Sequence, residues 1–497
     1  MTTKYLSEII SNEEISTWKP GDNIFLYNGT GTGKTTFINN KLAKIAKEQR
    51  QKILQLEPRL LLKKQQRKDA DSSVIDVESY QAIDSIARFD QYSIIVLDEC
   101  HYLFSDSGIN DLTDRHYQIL NSLECIKIWI TATPDDVFEY FRSNQIDYKL
   151  YPKDYTESKV LNEIYTYKSD EELENILEFV VHGTNLKAMV VMSSTKKLLK
   201  LYRKYESISS VVLGTGNLSG KTAKMKNMIP KEIEKISKDK IFSGRRFLFG
   251  TSALDCGVSM IDYNLSIIII DGIYDIQSIK QIVGRKRKQD SGDVATLFIR
   301  NISNSTLNGF NSAEKRWIKP AHTLLTKGID YYLEWYLRNG NRYPDKHRII
   351  RDEKVNGVLT KIVNDKKLTF FENRIKRTTD MICRGKNGFL ITLKDTFGIN
   401  VSPWNDDAKI YTEKILEDHY QKQTVWWTRS ETQEFAKSLG FTDKYRHIIT
   451  SYKAINAILE NQYNSVYRIV CKRKKKKVDG KIKRFDNVWM IEKIRNE

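Results

Sequence analysis

The sequence predicts an α/β protein: two tandem domains on doubly wound parallel sheets, then a mostly helical C-terminal part ending in two helices and a β-hairpin. Three observations carry this expectation. Short apolar runs alternate with longer, polar, helix-compatible stretches as far as about Arg300. A glycine-rich segment and a pair of carboxylates each follow such a run directly, where an open α/β sheet binds its ligands. The alternation then fades after about Asn304.

The first series of runs is Ile24–Tyr27, Ile53–Leu56, Val74–Val77, Ser93–Leu97 and Ile126–Ile130, and each is expected to be a parallel strand. A second series follows: Ala188–Met192, Ser210–Leu213, Phe247–Phe249, Ile267–Ile270 and Val294–Ile299. The polar stretch Tyr151–Ser158 is the expected linker. Beyond Asn304 come aromatic-rich amphipathic helices such as Ile329–Leu337. Near the end, Ser430-Glu431-Thr432-Gln433 fits a capping box opening a short helix, and Asp443–Leu459 suits another. Asp479-Gly480, between runs at Tyr467–Val470 and Phe485–Ile491, signals a hairpin. The expected divisions are 1–152, 153–303, 304–420 and a winged-helix module at 421–497.

A chain of 497 residues exceeds one compact core. Its net charge of +18 implies a phosphate-bearing partner, nucleic acid before a membrane surface. No apolar run reaches the roughly 18 residues of a membrane span, and the acidic N-terminus (Glu8, Glu13, Glu14) does not resemble a signal peptide. A cytoplasmic protein, host-cytoplasmic if phage-encoded, is expected, with no membrane partner. Cys100, Cys125, Cys256, Cys383 and Cys471 are scattered and never spaced C-x-x-C, so buried reduced thiols are expected.

The segment Asn28-Gly29-Thr30-Gly31-Thr32-Gly33-Lys34-Thr35 follows the first run and precedes a helix-compatible stretch, Thr36–Ala46. This is the strand–loop–helix setting of a phosphate-binding loop. Backbone N–H groups of Gly29, Thr30, Gly31, Thr32 and Gly33 would face phosphate oxygens, with Thr36 closing the turn. Lys34 would reach the β- and γ-phosphates of ATP, and the Thr35 hydroxyl would hold Mg²⁺. Asn28 replaces the usual first glycine. The fourth run ends in Asp98-Glu99-Cys100-His101, where Asp98 would share Mg²⁺ and Glu99 would orient and deprotonate water. A second glycine-rich stretch at Gly214–Thr222 has the wrong glycine spacing and is expected to be a loop. Trp18 and Pro20 could stack on adenine, although core packing is the commoner use of such a tryptophan.

DECH after a phosphate-binding loop resembles superfamily 2 helicases of the DExH type, and further segments extend the resemblance over about the first 300 residues. Glu57-Pro58-Arg59-Leu60 looks like motif Ia and Ser79-Tyr80-Gln81 like motif Ib. The resemblance implies that Pro58, Arg59, Ser79 and Gln81 touch a nucleic-acid backbone. Thr131-Ala132-Thr133 is similar to motif III, which implies that His101, Thr131 and Thr133 couple hydrolysis to strand movement. Ser193-Ser194-Thr195 resembles motif IV, and Thr251, Asp255 and Gly257 resemble motif V. This places Ser193, Ser194 and Thr251 on nucleic acid and Asp255 on the nucleotide. Gln281-Ile282-Val283-Gly284-Arg285-Lys286-Arg287 resembles motif VI, implying catalytic roles for Gln281, Arg285 and Arg287. Arg287 and Lys288 stand where the family pattern Q-x-x-G-R-x-G-R has glycine and arginine, a variant similar to herpesvirus origin-binding, phage and mobile-element helicases.

In the last segment, Lys472, Arg473, Lys474, Lys475, Lys476 and Lys477 would project with Lys481, Lys483 and Arg484 from a β-ribbon that tracks phosphates. A solvated loop is the bland alternative. Trp426, Trp427, Tyr331, Tyr332, Trp335 and Tyr336 could stack on bases, but helical spacing in the latter set favours core packing. The expected function is an ATP- and Mg²⁺-dependent DNA helicase or translocase, monomeric, in phage or mobile-element replication or recombination, with partners from those processes. An RNA helicase and an ATP-switched origin or operator binder are the alternatives.

Overall fold

The computed structural model describes residues 6–27, 33–58, 60–105, 112–131, 133–151, 160–182, 186–213, 241, 244–251, 260–290, 292–355, 357–404, 408–439, 441, 448–461, 465–478 and 480–494. The chain forms two compact units, one of Met1–Lys168 with Lys187–Pro403, the other of Ser169–Leu186 with Trp404–Glu497.

The larger unit holds two parallel sheets, as expected of tandem RecA-like domains. The first comprises β1 (Asn23–Tyr27), β2 (Lys52–Glu57), β3 (Ile75–Ser79), β4 (Tyr92–Leu97), β5 (Ile126–Thr131) and β6 (Lys149–Tyr151). Their order is β3-β2-β4-β5-β1-β6, parallel throughout. Ile24, Phe25, Leu26, Ile94, Ile95, Val96 and Leu97 are buried, as a sheet covered on both faces requires. Because β5 lies between β1 and β4, the C-terminal ends of β1, β5 and β4 lie side by side along one edge. The second sheet comprises β7 (Leu161–Tyr167), β8 (Lys187–Met192), β9 (Ser209–Val212), β10 (Phe247–Gly250), β11 (Leu265–Asp271), β12 (Ala295–Arg300) and, from further along the chain, β15 (Val401–Pro403). Its order is β15-β7-β12-β11-β8-β10-β9, again parallel.

Helices Asn304–Lys327, Ile329–Asn339, Asp365–Cys383 and Gly388–Phe397 follow, with an antiparallel hairpin of β13 (Ile350–Val355) and β14 (Val358–Val363) among them. Ile318, Ala321, Leu324, Tyr332, Leu368 and Phe371 form a core shared by the first three helices, whereas Phe389 and Leu393 of the fourth pack into the core of the second sheet. The start of the Asp365–Cys383 helix is anchored on the first domain. Buried Asp114 forms an ion pair with Lys366 Nζ at 2.7 Å and accepts Arg351 Nη2 at 2.6 Å, and Lys366 also lies 4.3 Å from the Tyr117 ring centroid.

In the smaller unit, β16 (Val425–Trp426), β18 (Lys481–Lys493) and β17 (Tyr467–Val478) form an antiparallel sheet in that order. Helices Ala408–Gln421, Arg429–Ser438 and Tyr452–Asn461 accompany it, and Leu416, Trp426, Phe435, Ile455, Leu459 and Trp489 are in its core.

Several expectations need correction. The third run is strand from Ile75 to Ser79, not Val74 to Val77, because Asp76 and Glu78 alternate outward between buried neighbours. The strands β6, β7 and β15 are additions, β6 and β15 at sheet edges and β7 between β15 and β12, hidden in the sequence by short length or polar alternation. Tyr151 belongs to β6, and the rest of the expected linker, like 214–222, lies outside the described residues. The capping box is Thr428 with Glu431, one turn's start earlier than Ser430 with Gln433; Thr428 Oγ1 accepts Glu431 N at 3.2 Å. Only Asn461 marks the end of the last helix, which begins at Tyr452 rather than Asp443; residues 442–447 lie outside the described set. Cys383 is exposed and Cys471 half-buried, not buried; Cys256 lies outside the described residues.

Asp114→Ala should remove one of the two carboxylates beside buried Lys366 and cost about 3 kcal/mol, the lower end for breaking a buried pair because Lys366 keeps Asp365 and Arg351 keeps Glu353. Urea unfolding followed by the fluorescence of Trp129, whose ring lies 6.2 Å from Tyr117, measures it.

Candidate functional site

The helix after β1 starts at Gly33, whose φ of 79° belongs to the left-handed region that a side chain strains. It runs from Lys34 through a π-helical stretch, Phe37–Leu42, to Glu48, and Phe37, Ile38, Leu42, Ala43 and Ala46 bury its inner face. Lys34, Thr35 and Thr36 thus stand in its first turn, the end at which the helix dipole favours an anion. Thr35 Oγ1 lies 3.5 Å from Gln66 Nε2. Gly29, Thr30, Gly31 and Thr32, with Asn28, lie outside the described residues.

Strand β4 delivers Asp98 and Glu99 to the same edge. Asp98 Oδ1 accepts Glu99 N at 3.0 Å, and Tyr80 donates its hydroxyl to the Asp98 carbonyl at 3.0 Å. Glu99 has φ 47°, a conformation costly for a non-glycine residue. Backbone bonds on both sides hold it there: Asp98 N to the Leu56 carbonyl at 3.1 Å before it, and Cys100 N to the Ile130 carbonyl at 2.9 Å and Tyr102 N to the Glu99 carbonyl at 2.9 Å after it. A polar path leads onward. Glu99 Oε2 lies 3.4 Å from His101 Nδ1, which lies 3.1 Å from Thr131 Oγ1. Thr131 Oγ1 accepts Thr133 N at 3.0 Å, and Thr133 Oγ1 accepts Gln281 Nε2 from the second domain at 2.7 Å.

Gln281 sits on the helix Ile276–Val283, capped by Asp275, whose Oδ2 accepts Ser278 N at 3.2 Å. Gln277 of this helix also bonds Asp135 of the first domain. Just past its end, buried Arg285 places Nη2 3.9 Å from Glu99 Oε1. Lys286, fully buried, donates to the Asp262 carbonyl at 2.7 Å and pairs with Asp293. Backbone bonds of 2.8 Å join Met260 N to the Arg285 carbonyl and Arg287 N to the Met260 carbonyl. The basic run at 285–288 is therefore not a solvent-facing helix.

Charge in the cleft is strongly perturbed. Burial, then the neighbouring Glu99 charge, pushes the Asp98 carboxyl up to about 6. Burial would raise Glu99 as well, but His101, Arg285 and Lys34 together hold it below the usual range. Burial lowers Lys34 against the pull of Glu99 and Asp98, and burial with Arg285 lowers Arg287 to about 10. These directions require Lys34, Asp98, Glu99, Arg285 and Arg287 to share one electrostatic neighbourhood. The oxygen donors Thr35 and Asp98 suit a hard cation such as Mg²⁺.

One participant was not singled out from the sequence. Glu57, at the end of β2, is fully buried; its Oε1 accepts Gln55 Nε2 at 2.7 Å, while Oε2 meets no hydrogen-bonding group. Burial and the nearby Asp98 charge push its carboxyl well above the carboxylate range. A second is Lys286, hidden in the sequence within an apparently solvated basic run.

The residues expected on nucleic acid are less uniform. Pro58 is buried, and Gln81 donates to the Tyr102 hydroxyl at 2.8 Å and the Pro58 carbonyl at 3.3 Å. Ser79 and Thr251 are buried. Ser193 is exposed beside Gly272 (φ 72°), where a Cβ would meet the serine hydroxyl, and Ser194 caps the helix Thr195–Lys204 through Lys197 N at 3.3 Å. Arg59, Ala132, Asp255 and Gly257 lie outside the described residues. In the smaller unit, Lys472, Arg473, Lys475, Lys476, Lys477, Lys481, Lys483 and Arg484 are exposed along β17 and β18, with Lys474 half-buried. Lys475 stands opposite Arg484 and Lys476 opposite Lys483, like-charge pairs that destabilise a hairpin unless an anion answers them. Lys476 Nζ lies 5.0 Å from the ring centroid of Trp427, itself 5.4 Å from Phe485. Trp426, by contrast, is buried on Phe435 at 3.8 Å, and Tyr332 is a core residue. Tyr331 is exposed, while Trp335 and Tyr336 are partly buried against the helical core. Trp18 is buried 5.9 Å from Tyr151, and with Pro20 it lines a cavity reaching Tyr92 and Ile126 at the starts of β4 and β5. That is the end of the sheet away from Asp98 and Glu99, so Trp18 packs the core and does not face the edge that bears them.

No family model matches the chain, and no curated protein matches it. Among solved structures it is similar to Saccharomyces cerevisiae Dbp5 bound to RNA and ADP BeF3 (13% identity, TM-score 0.44, covering 62% of this chain and 84% of that one). It is also similar to the DEAD-box helicase Mss116 bound to ssRNA and UDP-BeF (12%, 0.45, 93% and 83%). The Escherichia coli DEAH/RHA helicase HrpB is a further match (11%, 0.37, 56% and 40%). Likenesses of this size say nothing of what this chain binds or does.

Glu57→Gln mimics the protonated carboxyl. Because the folded group is raised, wild-type stability is full below the unfolded value near 4.3 and falls as pH rises toward the folded value. The variant should therefore gain melting temperature relative to wild type more at pH 8 than at pH 5, as differential scanning fluorimetry would show.

Proposed function

We propose that this chain is an ATP-hydrolysing nucleic-acid motor of the superfamily 2 helicase kind, acting on DNA. The observation that carries the reading is the polar path from Glu99 through His101, Thr131 and Thr133 to Gln281, with Arg285 closing on Glu99 from the same second domain. A carboxylate answered from two domains is the arrangement a composite phosphoryl-transfer site needs.

ATP is the substrate. The N–H groups at Gly33–Thr35 and the Lys34 ammonium hold its phosphates. Thr35 and Asp98 would hold Mg²⁺, which neutralises phosphate charge. Glu99, kept ionised by His101, Arg285 and Lys34, orients the attacking water and takes its proton. Arg285 and Arg287 stabilise the charge that develops on the transferred phosphoryl group. Loss of that charge weakens their hold, and Gln281 and His101 carry the change to Thr131 and Thr133. The functional parts are 1–152 and 153–303 around the nucleotide, 304–420 as a helical accessory domain and 421–497 as a winged-helix module. The basic ribbon favours duplex DNA: like charges on both of its faces suit a groove lined by phosphates on either side, and a wide major groove admits a two-stranded ribbon.

Glu99→Gln should lower turnover by roughly 10²- to 10⁴-fold while ATP binding persists. Steady-state ATPase and equilibrium binding of a fluorescent ATP analogue measure the two, and unchanged turnover would refute the assignment. Duplex and single-stranded DNA should stimulate hydrolysis; stimulation by RNA alone would overturn the choice of polymer.

Replacing Lys475 and Lys476 together with alanine should weaken DNA binding for every sequence tested and flatten the slope of log K against log salt by about 0.9 per lost phosphate contact. Fluorescence anisotropy across a salt series is the check.

A further inference from the structure

The helix Asp365–Cys383 lies outside both α/β domains of the larger unit yet bonds to each. At its start, Lys366 meets Asp114, and Asp365 Oδ2 accepts the Tyr140 hydroxyl at 2.8 Å, both on the first domain. Further along, Arg374 and Arg377 fall on one face a single turn apart. Arg374 Nε donates to Glu314 Oε1 at 2.6 Å and Nη2 to the Tyr274 hydroxyl at 2.9 Å, fixing the approach to the helix Ile276–Val283.

Arg377 does more than pack. Its Nη1 donates to Asp136 Oδ1 at 2.7 Å, and its Nε and Nη2 each lie 3.2 Å from Asp275 Oδ1. Asp136 is in the first turn of the helix Asp135–Ser143, which follows the Thr131–Thr133 segment; Asn373 Nδ2 also reaches its Oδ1 at 3.1 Å. Asp275 is the N-cap of the second-domain helix bearing Gln281, with Oδ2 spent on Ser278 and Oδ1 turned to Arg377. Both carboxylates are buried. A neutral residue at 377 would leave two buried acids of like charge facing the same gap, one from each domain.

The geometry therefore has a lever. The helix Ile276–Val283 is tied to the first domain at its start through Arg377, in its first turn by Gln277 to Asp135, and in its second by Gln281 to Thr133. Arg285 and Arg287 lie just past its far end. Eight residues of helix span about 12 Å, so a tilt allowed at the capped end moves the arginines by an amount on the order of an ångström. Displacements of that size cost about 10²-fold in turnover.

We propose that Arg377 is a positioning residue for hydrolysis: it clamps Asp136 to Asp275 and so sets the seating of Gln281, Arg285 and Arg287 against Glu99. The helical region thereby decides whether the two halves of the nucleotide site meet. This rests on the ATPase reading given above.

The test compares full-length wild type with Arg377→Ala, Arg377→Lys, Asp136→Asn and the double variant Arg377→Ala/Asp136→Asn, each corrected for folded fraction from its melting curve. Arg377→Ala should lower kcat roughly 10- to 100-fold with KM for ATP within about twofold, since the phosphate-binding half of the site is untouched. Arg377→Lys, which keeps the charge but lacks the planar fork, should recover only part of the loss. The double variant should be no slower than Arg377→Ala, because both changes break one clamp. Hydrogen exchange should rise in the 276–283 segment of Arg377→Ala and stay unchanged in β1, β4 and β5. A kcat within twofold of wild type, or equal loss in kcat/KM and ATP affinity, overturns the proposal. If wild type neither binds nor hydrolyses ATP, the ATPase reading has failed by itself; unchanged exchange at 276–283 would then overturn the clamp, and raised exchange would uphold it as a domain tie.

Discussion

The left-handed backbone at Glu99 is imposed on a residue that does not prefer it. Parallel pairing carries β4 and β5 to one edge, and the hydrogen bond from Cys100 N to the Ile130 carbonyl then turns the chain sharply after Asp98. With Glu99 so turned, its carboxylate faces His101 and Arg285 rather than solvent. The cost of such a backbone, about 1–3 kcal/mol, is spread over a sheet whose strands are buried on both faces. Relaxing it would point the acid elsewhere and remove its approach to Arg285, while the ties of Gln277 to Asp135 and Gln281 to Thr133 would remain.

Much of this was readable in the sequence, for physical reasons. Central parallel strands are continuous apolar runs because both faces are covered, so Ile24–Leu26 and Ile94–Leu97 stand out. A short edge strand such as Lys149–Tyr151, or one that alternates like Leu161–Tyr167, carries no such signal. The first-domain site residues that the structure brings together follow the ends of the neighbouring strands β1, β5 and β4, where spacing in sequence and position on the edge coincide. What was not readable depends on tertiary contact alone. Glu57 looks like any acid at the end of a run, yet it is fully buried beside Asp98. Arg377 sits in an ordinary amphipathic helix, and nothing in its neighbours announces Asp136 and Asp275, 241 and 102 residues away.

The smaller unit follows a different logic. Its core is aromatic and modest, and β17 and β18 run well beyond it, so the outer half of the hairpin is held by backbone pairing while its side chains repel. Asp486, near Arg473 and Arg484, offsets little of that. A ribbon built this way gains stability from any anion that answers those charges.

The bridge between Met260 and Lys286 has one more consequence. A segment held by backbone bonds on both sides of residue 286 is extended, and extended chain has a side-chain period of two. Lys286 turns into the domain, so Arg285 and Arg287 must turn together toward the cleft. By the same alternation, exchanging Arg287 and Lys288 would turn the second arginine to the face that Lys286 occupies, away from Arg285.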